Sequence, residues 1–569
     1  MKVSKKINTL VKIFKTSDKE VLLYSFLYFF LNLIKLFLLP IITIYVMKRD
    51  YLVSSTMIVI YFVVNYSLIL IKEILINVSN FSRMKRIEKS YDACININYE
   101  FFESYEGRNL FTKAVSTTNS TTSPFSKIYL SIFDTLYTVL YMGFVIIYSL
   151  KFDKVLFFKN IIFSILICLV IFFDNLNINQ AYNKMIELFI SKEKNLNYLR
   201  KIAKQFEKSI ILNDFRAKDL YQDKYNINEK NIINGCTDIK KNMILKLELS
   251  DFCKILVLFI YIFSLKTTAF TLTMLVFMIQ FLIVSNKFFD SFFELNNITN
   301  KIYYYYKFIE KSESKDKKIY IDELNCIEFK NVYFSYNNSD FSLKNINIKL
   351  ENNKKIGIFG SNGCGKTTIV KLLLGLYKVK RGEILINGIN IDKISNLNEL
   401  ISCVFQDDIV IPASLEENIL FGKKMNKRNF SKAMEESSFN EVMKKNHLNN
   451  KTYLNSLYVD DAKDLSMGES QLLYLARSIY KNTNMIIWDE PSSNLDPFRE
   501  LRLFTKYKKI GKDSMGIFIS HKASNIKMFD EIIFMENGQI IERGNFKDLM
   551  DKKGKYYELY KKQEENFTN

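Results

Sequence analysis

The sequence predicts two folds in series: an α-helical transmembrane domain of six spans with long intracellular helices, followed by an α/β P-loop domain. Three observations carry this prediction. Nearly all the long apolar runs lie before residue 290. From about residue 324, short β-like runs alternate with helix-like runs, the pattern of a central sheet flanked by helices. One stretch, GSNGCGKTT (Gly360 to Thr368), sits between an apolar β-like run, KKIGIF, and a helix-like run, TIVKLLLGLY. That is the setting in which GxxxxGKS/T binds phosphate. The boundaries read as a transmembrane domain over 1–310, a linker over 311–323 containing KSESKDKK, and a phosphate-binding domain over 324–569.

Each element of the membrane half has its own justification. A bilayer needs about 20 helical residues to cross, and six apolar runs approach that length: roughly 21–47, 53–77, 127–150, 154–174, 250–265 and 267–289. The fifth is shortened by Lys254, and Pro40 is placed to kink the first. Tight connections near Lys48 and Arg49, Lys151 to Lys154, and Lys266 join the runs in pairs. The other connections, about 78–126 and 175–249, are long, charged and amphipathic. They and the N-terminus hold far more Lys and Arg than the tight loops, so the positive-inside rule places them, with the second domain, in the cytoplasm. Among ionisable residues in the spans, Lys72, Glu73, Lys159 and Lys254 lie near ends, where snorkelling suffices. Lys35 and Asp134 are the candidates for a polar cavity.

Composition narrows the partners. The net charge is +20, with 48 Phe and 34 Tyr in 569 residues. The lysines sit beside apolar spans, so the basic balance points to a membrane surface and not to nucleic acid. The cysteines, Cys94, Cys168, Cys236, Cys253, Cys326, Cys364 and Cys403, show no CxxC and no paired histidine. They read as reduced thiols, with Cys364 a spacer in the phosphate loop open to an alkylating reagent. The basic N-terminus lacks the short apolar core of a cleaved signal peptide.

The second domain carries a series of candidate site residues. Gly360, Gly363 and Gly365 let the loop turn its N–H groups toward phosphate oxygens, with a helix N-terminus behind them. Ser361, Asn362, Cys364 and Thr368 complete the loop. Lys366 reaches the β- and γ-phosphates, and the Thr367 hydroxyl ligates Mg²⁺. In VFQDD, the Gln406 amide can touch Mg²⁺ and the attacking water. In DLSMGESQLLYLARSIY, Ser466 and Gly468 sit at the start of an amphipathic helix, a second anion-binding end. In MIIWDEP, Asp489 suits Mg²⁺ through water and Glu490 suits a general base. SNLD follows directly, and IFISH brings His521 to a strand end within reach of a γ-phosphate. An acidic pair after a strand is often only a solvated turn, and a lone histidine is usually structural. Their joint order and spacing is what argues for a site.

With these residues assembled, the chain resembles ABC transporters of the exporter type, six-span half-transporters fused to one ATPase domain. GSNGCGKTT resembles the Walker A loop, Gln406 the Q-loop glutamine, and LSMGE the LSGGQ signature. MIIWDE resembles the Walker B strand, SNLD the D-loop, and His521 the switch histidine. Tyr336 in NVYFSY matches the aromatic residue that stacks on adenine. Phe101 to Val115 resembles the first intracellular loop, whose short helix couples to the ATPase domain, and Ile211 to Asp219 the second.

The resemblance implies ATP and Mg²⁺ as cofactors, with catalytic Glu490, His521 and Gln406 and Mg²⁺ contacts from Thr367, Gln406 and Asp489. It implies a dimer in which two ATP molecules are each held between one chain's Walker A and the other's signature. A homodimer is favoured, because Glu490 and His521 are both present; a paralogous half-transporter is the alternative. Met467 departs from the family's glycine and can crowd the partner's ATP. No peptidase-like stretch precedes the first span, so the self-cleaving type of peptide exporter is not expected. The implied cargo is a modified antimicrobial peptide (lantibiotic or bacteriocin), with a drug or lipid as the alternative and a non-transporting regulator as a third reading.

Overall fold

A computed structural model describes residues 3–119, 123–149, 154–204, 215–263, 269–313, 319–336, 342–405, 408–456, 459–490 and 514–568. The chain forms two compact units. One comprises Met1–Ile97 with Tyr105–Glu313, the other Asn98–Ser104 with Ser314–Asn569. Several expected features lie outside the described residues: Gln406, the SNLD stretch, residues 211–214, the connections near Lys151 and Lys266, and most of the KSESKDKK linker.

The first unit is entirely helical among the described residues. Its helices are α1 (Val3–Lys15), α2 (Lys19–Met47), α3 (Tyr51–Asn96), α5 (Tyr105–Val115), α6 (Pro124–Ser149), α7 (Lys154–Lys204), α8 (Phe215–Phe263) and α9 (Ala269–Ser312). The short α4 (Tyr99–Glu103) belongs to the second unit. Among the described residues, five helices are long and apolar enough to cross a membrane: α2, α3, α6, the apolar part of α7, and α9. The fifth expected run forms the C-terminal end of α8, which is described as far as Phe263.

Much of the long connections continues the spanning helices, with α4 and α5 as separate helices within 78–126. α3, α7, α8 and α9 run on for 46, 51, 49 and 44 residues, each about 70 Å at 1.5 Å per residue. An end of the apolar stretch does not end a helix, because the charged residues beyond it are also good helix formers. α2 likewise passes through Pro40, whose carbonyl accepts the Thr43 hydroxyl at 2.7 Å. The α2–α3 turn is set by Arg49, at φ 58°, and by Asp50, whose carboxylate accepts the Val53 N–H at 3.3 Å.

Two apolar clusters hold the bundle. One joins α2, α3, α6 and α9 through Tyr28, Leu68, Phe133 and Ile302. The other joins α6, α7, α8 and α9 through Tyr141, Ile167, Tyr261 and Phe281. Lys254, expected to need only snorkelling, has ion-pair partners. It lies between the carboxylates of Asp174 (2.9 Å) and Asp251 (3.0 Å).

The second unit has two sheets. β1 (Cys326–Ser335), β2 (Ser342–Glu351), β4 (Arg381–Ile386) and β5 (Ile389–Asn390) form an antiparallel sheet in the order β2-β1-β4-β5. The larger sheet has the order β10-β9-β3-β8-β7-β6. It is built from β3 (Lys355–Gly360), β6 (Ile401–Val404), β7 (Met485–Asp489), β8 (Met515–Ser520), β9 (Glu531–Glu536) and β10 (Gln539–Gly544). All its pairings are parallel except β9–β10. β3, β7 and β8 are buried at every position, as expected of parallel strands covered on both faces.

Around the sheets lie α10 (Lys366–Leu373), α11 (Leu397–Leu400), α12 (Leu415–Leu420), α13 (Lys427–Glu436), α14 (Phe439–Lys445), α15 (Met467–Lys481), α16 (Ala523–Ile526), α17 (Phe546–Lys552) and α18 (Lys555–Thr568). One core fills the space between the two sheets and α10; the other lies against α12 to α15 and α18. In the latter, the Phe518 ring stacks on Phe529 at 4.3 Å and meets the edge of Trp488 at 5.2 Å. Phe518→Ala should cost this unit about 3–5 kcal/mol. The check is urea unfolding followed by fluorescence of Trp488, the chain's single tryptophan; an unchanged midpoint would contradict the packing.

Candidate functional site

The site forms at the C-terminal ends of three adjacent parallel strands. Register aligns β3 with β8 through Phe359 and Ser520, and β8 with β7 through Ile519 and Asp489. The loop after β3, the acidic pair after β7 and the histidine after β8 are therefore carried to one edge of the sheet, where ligands bind in open α/β folds.

The loop after β3 is shaped by close approaches. A side chain on Gly360 would place its Cβ 2.4 Å from the Met535 carbonyl oxygen and 2.6 Å from Cys364 Sγ, so only glycine fits. Gly365 precedes α10 at φ 109°, a left-handed value that a side chain would strain. Lys366 is 5% exposed, and its Nζ donates to the carbonyls of Gly360 (2.9 Å) and Ser361 (3.0 Å). The loop is thus held folded around the ammonium meant for phosphate. Cys364 differs from expectation. It is buried, and that burial pushes its thiol up, so it is a poor target for alkylation.

The acidic pair divides into two environments. Asp489 is 4% exposed; burial raises its carboxyl, and a hydrogen bond with the Thr367 side chain opposes the rise. Glu490 sits at φ 52°, with its N–H donated to the Ile519 carbonyl at 3.1 Å. A non-glycine residue held in this region is typical of strained functional positions. Its two carboxylate oxygens face different partners, Lys366 Nζ at 3.8 Å and His521 Nδ1 at 3.6 Å. The contact with His521 holds the Glu490 carboxyl below the usual range, against the opposing effect of burial.

Thr367 and Asp489 supply a hydroxyl and a carboxylate, hard oxygen donors of the kind Mg²⁺ takes. Among the described residues no cluster of three or more His, Cys, Asp or Glu can hold a metal. This pair therefore fits an ion whose remaining positions are filled by phosphates and water.

Tyr336 joins the same region. Its hydroxyl lies 3.2 Å from Thr368 Oγ1, and its ring stands edge-on to Tyr377 at 5.2 Å. Tyr377, which sequence reading left as the end of an apolar helix, also meets the ring of Tyr99 at 5.6 Å and donates its hydroxyl to Glu103. Glu100 accepts the Lys378 N–H at 3.4 Å and lies 3.9 Å from Lys380 Nζ. The short helix packed in this unit is thus α4, Tyr99–Glu103. The expected segment, Phe101 to Val115, extends past it into α5, which belongs to the other unit.

Ser466 caps α15. Its hydroxyl accepts the Glu469 N–H at 3.4 Å, and the Glu469 carboxylate accepts the Ser466 N–H at 3.0 Å, a capping box. Despite the opposing effect of burial, the hydrogen bonds from Ser466, Asn446 and Lys445 bring the Glu469 carboxyl down to about 2. No described hydrogen bond or ion pair joins Ser466 to the loop at 360–368. Met467, first residue of α15, is 72% exposed beside it, and Gly468 follows within the same turn.

Gln563 is the functional candidate the sequence hid, for it lies in a run of charges far beyond His521. From α18 its Nε2 donates to the His521 carbonyl at 2.9 Å, and its Oε1 accepts the Ala523 N–H at 2.8 Å. One amide thus clamps both sides of the turn that aims the His521 side chain at Glu490.

These features define a membrane-embedded helical bundle joined to a P-loop domain with a carboxylate–histidine pair beside its phosphate lysine. Residues 343–493 match the family model described as ABC transporter. Among curated proteins, the chain is 35% identical to the subtilin transport ATP-binding protein SpaT of Bacillus subtilis over 49% of this chain and 46% of that one. It is 34% identical to an ATP-dependent lipid A-core flippase of Wigglesworthia glossinidia brevipalpis over 44% of each. It is 33% identical to the beta-(1-->2)glucan export ATP-binding/permease protein NdvA of Bartonella quintana over 41% of this chain and 39% of that one. The chain thus spans less than half the length of these relatives. Among solved structures, a bacterial Atm1-family ABC exporter with ATP bound superposes with a TM-score of 0.75 at 18% identity, covering 96% of this chain and 98% of that one. Residues 343–493 belong to the ABC transporter family, and the chain has the fold of an Atm1-family ABC exporter.

Gln563→Ala should lower kcat for ATP hydrolysis about fivefold, the equivalent of about 1 kcal/mol of lost positioning, with KM and Tm unchanged. Gln563→Glu can still accept from Ala523 but cannot donate to His521, and should fall with it. A lowered Tm with kcat intact would make α18 a structural brace only.

Proposed function

We propose that the chain is one half of an ATP-driven exporter that works as a dimer of identical copies and carries a modified antimicrobial peptide of the lantibiotic or bacteriocin class. The observation that carries the ATP-driven part is the placement of Glu490 between Lys366 and His521. A carboxylate held ionised beside the phosphate lysine can accept a proton from an attacking water. His521, on its other side, can contact the γ-phosphate and orient that base. When bound, Mg²⁺ held by Thr367 and Asp489 would neutralise charge on the phosphates. Tyr336 is suited to stack on adenine, and Gln406 to orient the water.

The dimer reading rests on Ser466 and Gly468. They form an anion-binding helix start with no described link to their own chain's loop, so a second copy's ATP is the ligand they suit. ATP bound between two copies supplies the differential affinity that any driven change of state needs. The distribution of Lys and Arg favours a cytoplasmic N-terminus, helix extensions and ATPase domain. The peptide cargo is favoured by the likeness to a subtilin transport protein. A lipid cargo is the second reading, favoured by the likeness to lipid A-core flippases.

Glu490→Gln should lower ATP turnover by about 10²–10⁴-fold, the usual contribution of a general base. In the native host it should also remove one peptide from the culture supernatant while its precursor accumulates inside, as read by mass spectrometry. An unchanged peptide profile with turnover lost would move the cargo to a lipid or drug. Unchanged turnover would defeat the catalytic assignment and favour a non-transporting regulator. Met467→Gly should raise turnover about fivefold by relieving about 1 kcal/mol of crowding at the partner's ATP. A lower rate would mean that the side chain contributes a contact.

A further inference from the structure

The membrane half contains a charged cluster that the ATP-driven cycle does not use. On α9, Gln280, Lys287 and Glu294 recur every seven residues, two helical turns, and so share a face. Each meets a polar partner on α6. Tyr141 donates its hydroxyl to Gln280, Lys287 Nζ lies 3.2 Å from Asp134, and the Ser131 hydroxyl donates to Glu294 at 3.1 Å. Asp134 also accepts the Tyr28 hydroxyl at 2.9 Å, and Lys287 stands over the Tyr137 ring at 5.0 Å. One level away, Lys35 on α2 donates to the Asn65 amide oxygen on α3 at 2.6 Å.

The charges in this cluster, Lys35 and Lys287 with Asp134 and Glu294, are not evenly paired. Asp134 and Lys287 offset one another. Lys35 has no carboxylate within 4 Å among the described residues, only an amide oxygen and the repulsion of Lys287. Lys254, elsewhere in the bundle, stands between two carboxylates. Of the further acids on α9, Glu294 accepts the Ser131 hydroxyl, and Asp290 interacts with Asn175 and the Lys254 charge. An ammonium inside an apolar span is costly toward lipid and is found facing a polar cavity or a partner. Lys287 is nevertheless 44% exposed. Of the two carboxylates in the cluster, only Asp134 lies within 4 Å of an ammonium, and Glu294 is bonded to Ser131. The surface therefore cannot be lipid-facing, and Lys35 is left on it with no carboxylate partner among the described residues.

We propose that Lys35, Asn65, Lys287 and Tyr137 form the cargo-recognition site, and that the cargo is an amphiphile bearing a carboxylate or a phosphate. Lys35 supplies the uncompensated charge and Asn65 fixes its position. Lys287 adds a second donor while its charge is tethered by Asp134. The apolar body of the cargo matches the surrounding spans. The proposal rests on the export reading and narrows its cargo to anionic headed molecules.

The test is binding to the full chain in neutral dodecyl maltoside micelles, without nucleotide, by thermophoresis. The probes are dodecanoate, dodecyl phosphate and dodecyltrimethylammonium. The wild type should bind both anions at least about tenfold more tightly than the cation, about 1.4 kcal/mol. Lys35→Gln should erase that preference and Lys35→Arg should keep it. Lys35→Gln is chosen because its amide can still donate to Asn65, so folding is spared; Lys287→Gln would strand Asp134. Tighter dodecanoate supports a cargo recognised through a peptide-like carboxylate, and tighter dodecyl phosphate one recognised through a lipid-like phosphate. Equal affinities support the shared chemistry. Equal binding of anion and cation, or an anion preference that survives Lys35→Gln, overturns the proposal. So does a Lys35→Gln chain that keeps its ligand preference but loses its dimer on size exclusion, because Lys35 then pairs with a second copy. The Glu490→Gln chain should bind the anions like wild type, so failure of the ATP-driven reading and failure of this site are separable.

Discussion

A buried ammonium must be fully satisfied, and Lys366 organises the ATP-binding unit on that account. Leaving such a charge unpaired in a protein interior costs several kcal/mol. Here two carbonyls of its own loop take two of its protons, and Glu490 faces it at 3.8 Å. That arrangement requires β3 to lie between β9 and β8, with β7 beyond, because only then do the loop, the acidic pair and His521 share one edge. It also requires Gly360, since any side chain there would strike Met535 and Cys364. Fully buried parallel strands fix this geometry, so these groups are carried by the buried centre of the unit.

The surroundings of the pair separate the roles of two adjacent carboxylates. Asp489 faces inward, hydrogen-bonded to Thr367, where an ion bound with the nucleotide would meet both. Glu490 turns outward through a left-handed backbone and meets His521. The cap box at Ser466 keeps the start of α15 exposed and well ordered, and the Gln563 clamp does the same for the histidine turn. Both are secondary supports that fix where a polar group points.

The phosphate loop, the acidic pair, Ser466 and His521 were legible in the sequence because each sits at a strand end or helix start and because they follow one another in a fixed order. The membrane half was legible as apolar length. Other features were not. Strand order in a parallel sheet follows from packing of both faces, which near-continuous apolar strands such as β3 and β8 do not encode individually. Gln563 and His521 are 42 residues apart with no shared pattern. Tyr377 looked like helix core because its aromatic partners, Tyr99 and Tyr336, lie far away in sequence. The end of the apolar run near residue 77 does not break α3, because apolarity, not helix propensity, changes there. Lys254 read as snorkelling, since its partner Asp174 is on another helix. Lys35 and Asp134 were visible as charges inside apolar runs. Lys287, near the end of the last run, became visible only through its contact with Asp134.

The most direct test of the account is whether the phosphate loop of one copy meets the α15 start of another. The full chain carrying Asn362→Cys and Ser466→Cys, on the Glu490→Gln background, would be oxidised with and without ATP and run on a denaturing gel. The account predicts a covalent dimer that forms with ATP and is absent from both controls carrying only one of the two substitutions. A double variant that runs as those controls do, with or without ATP, would contradict the shared site and leave each copy to handle ATP alone.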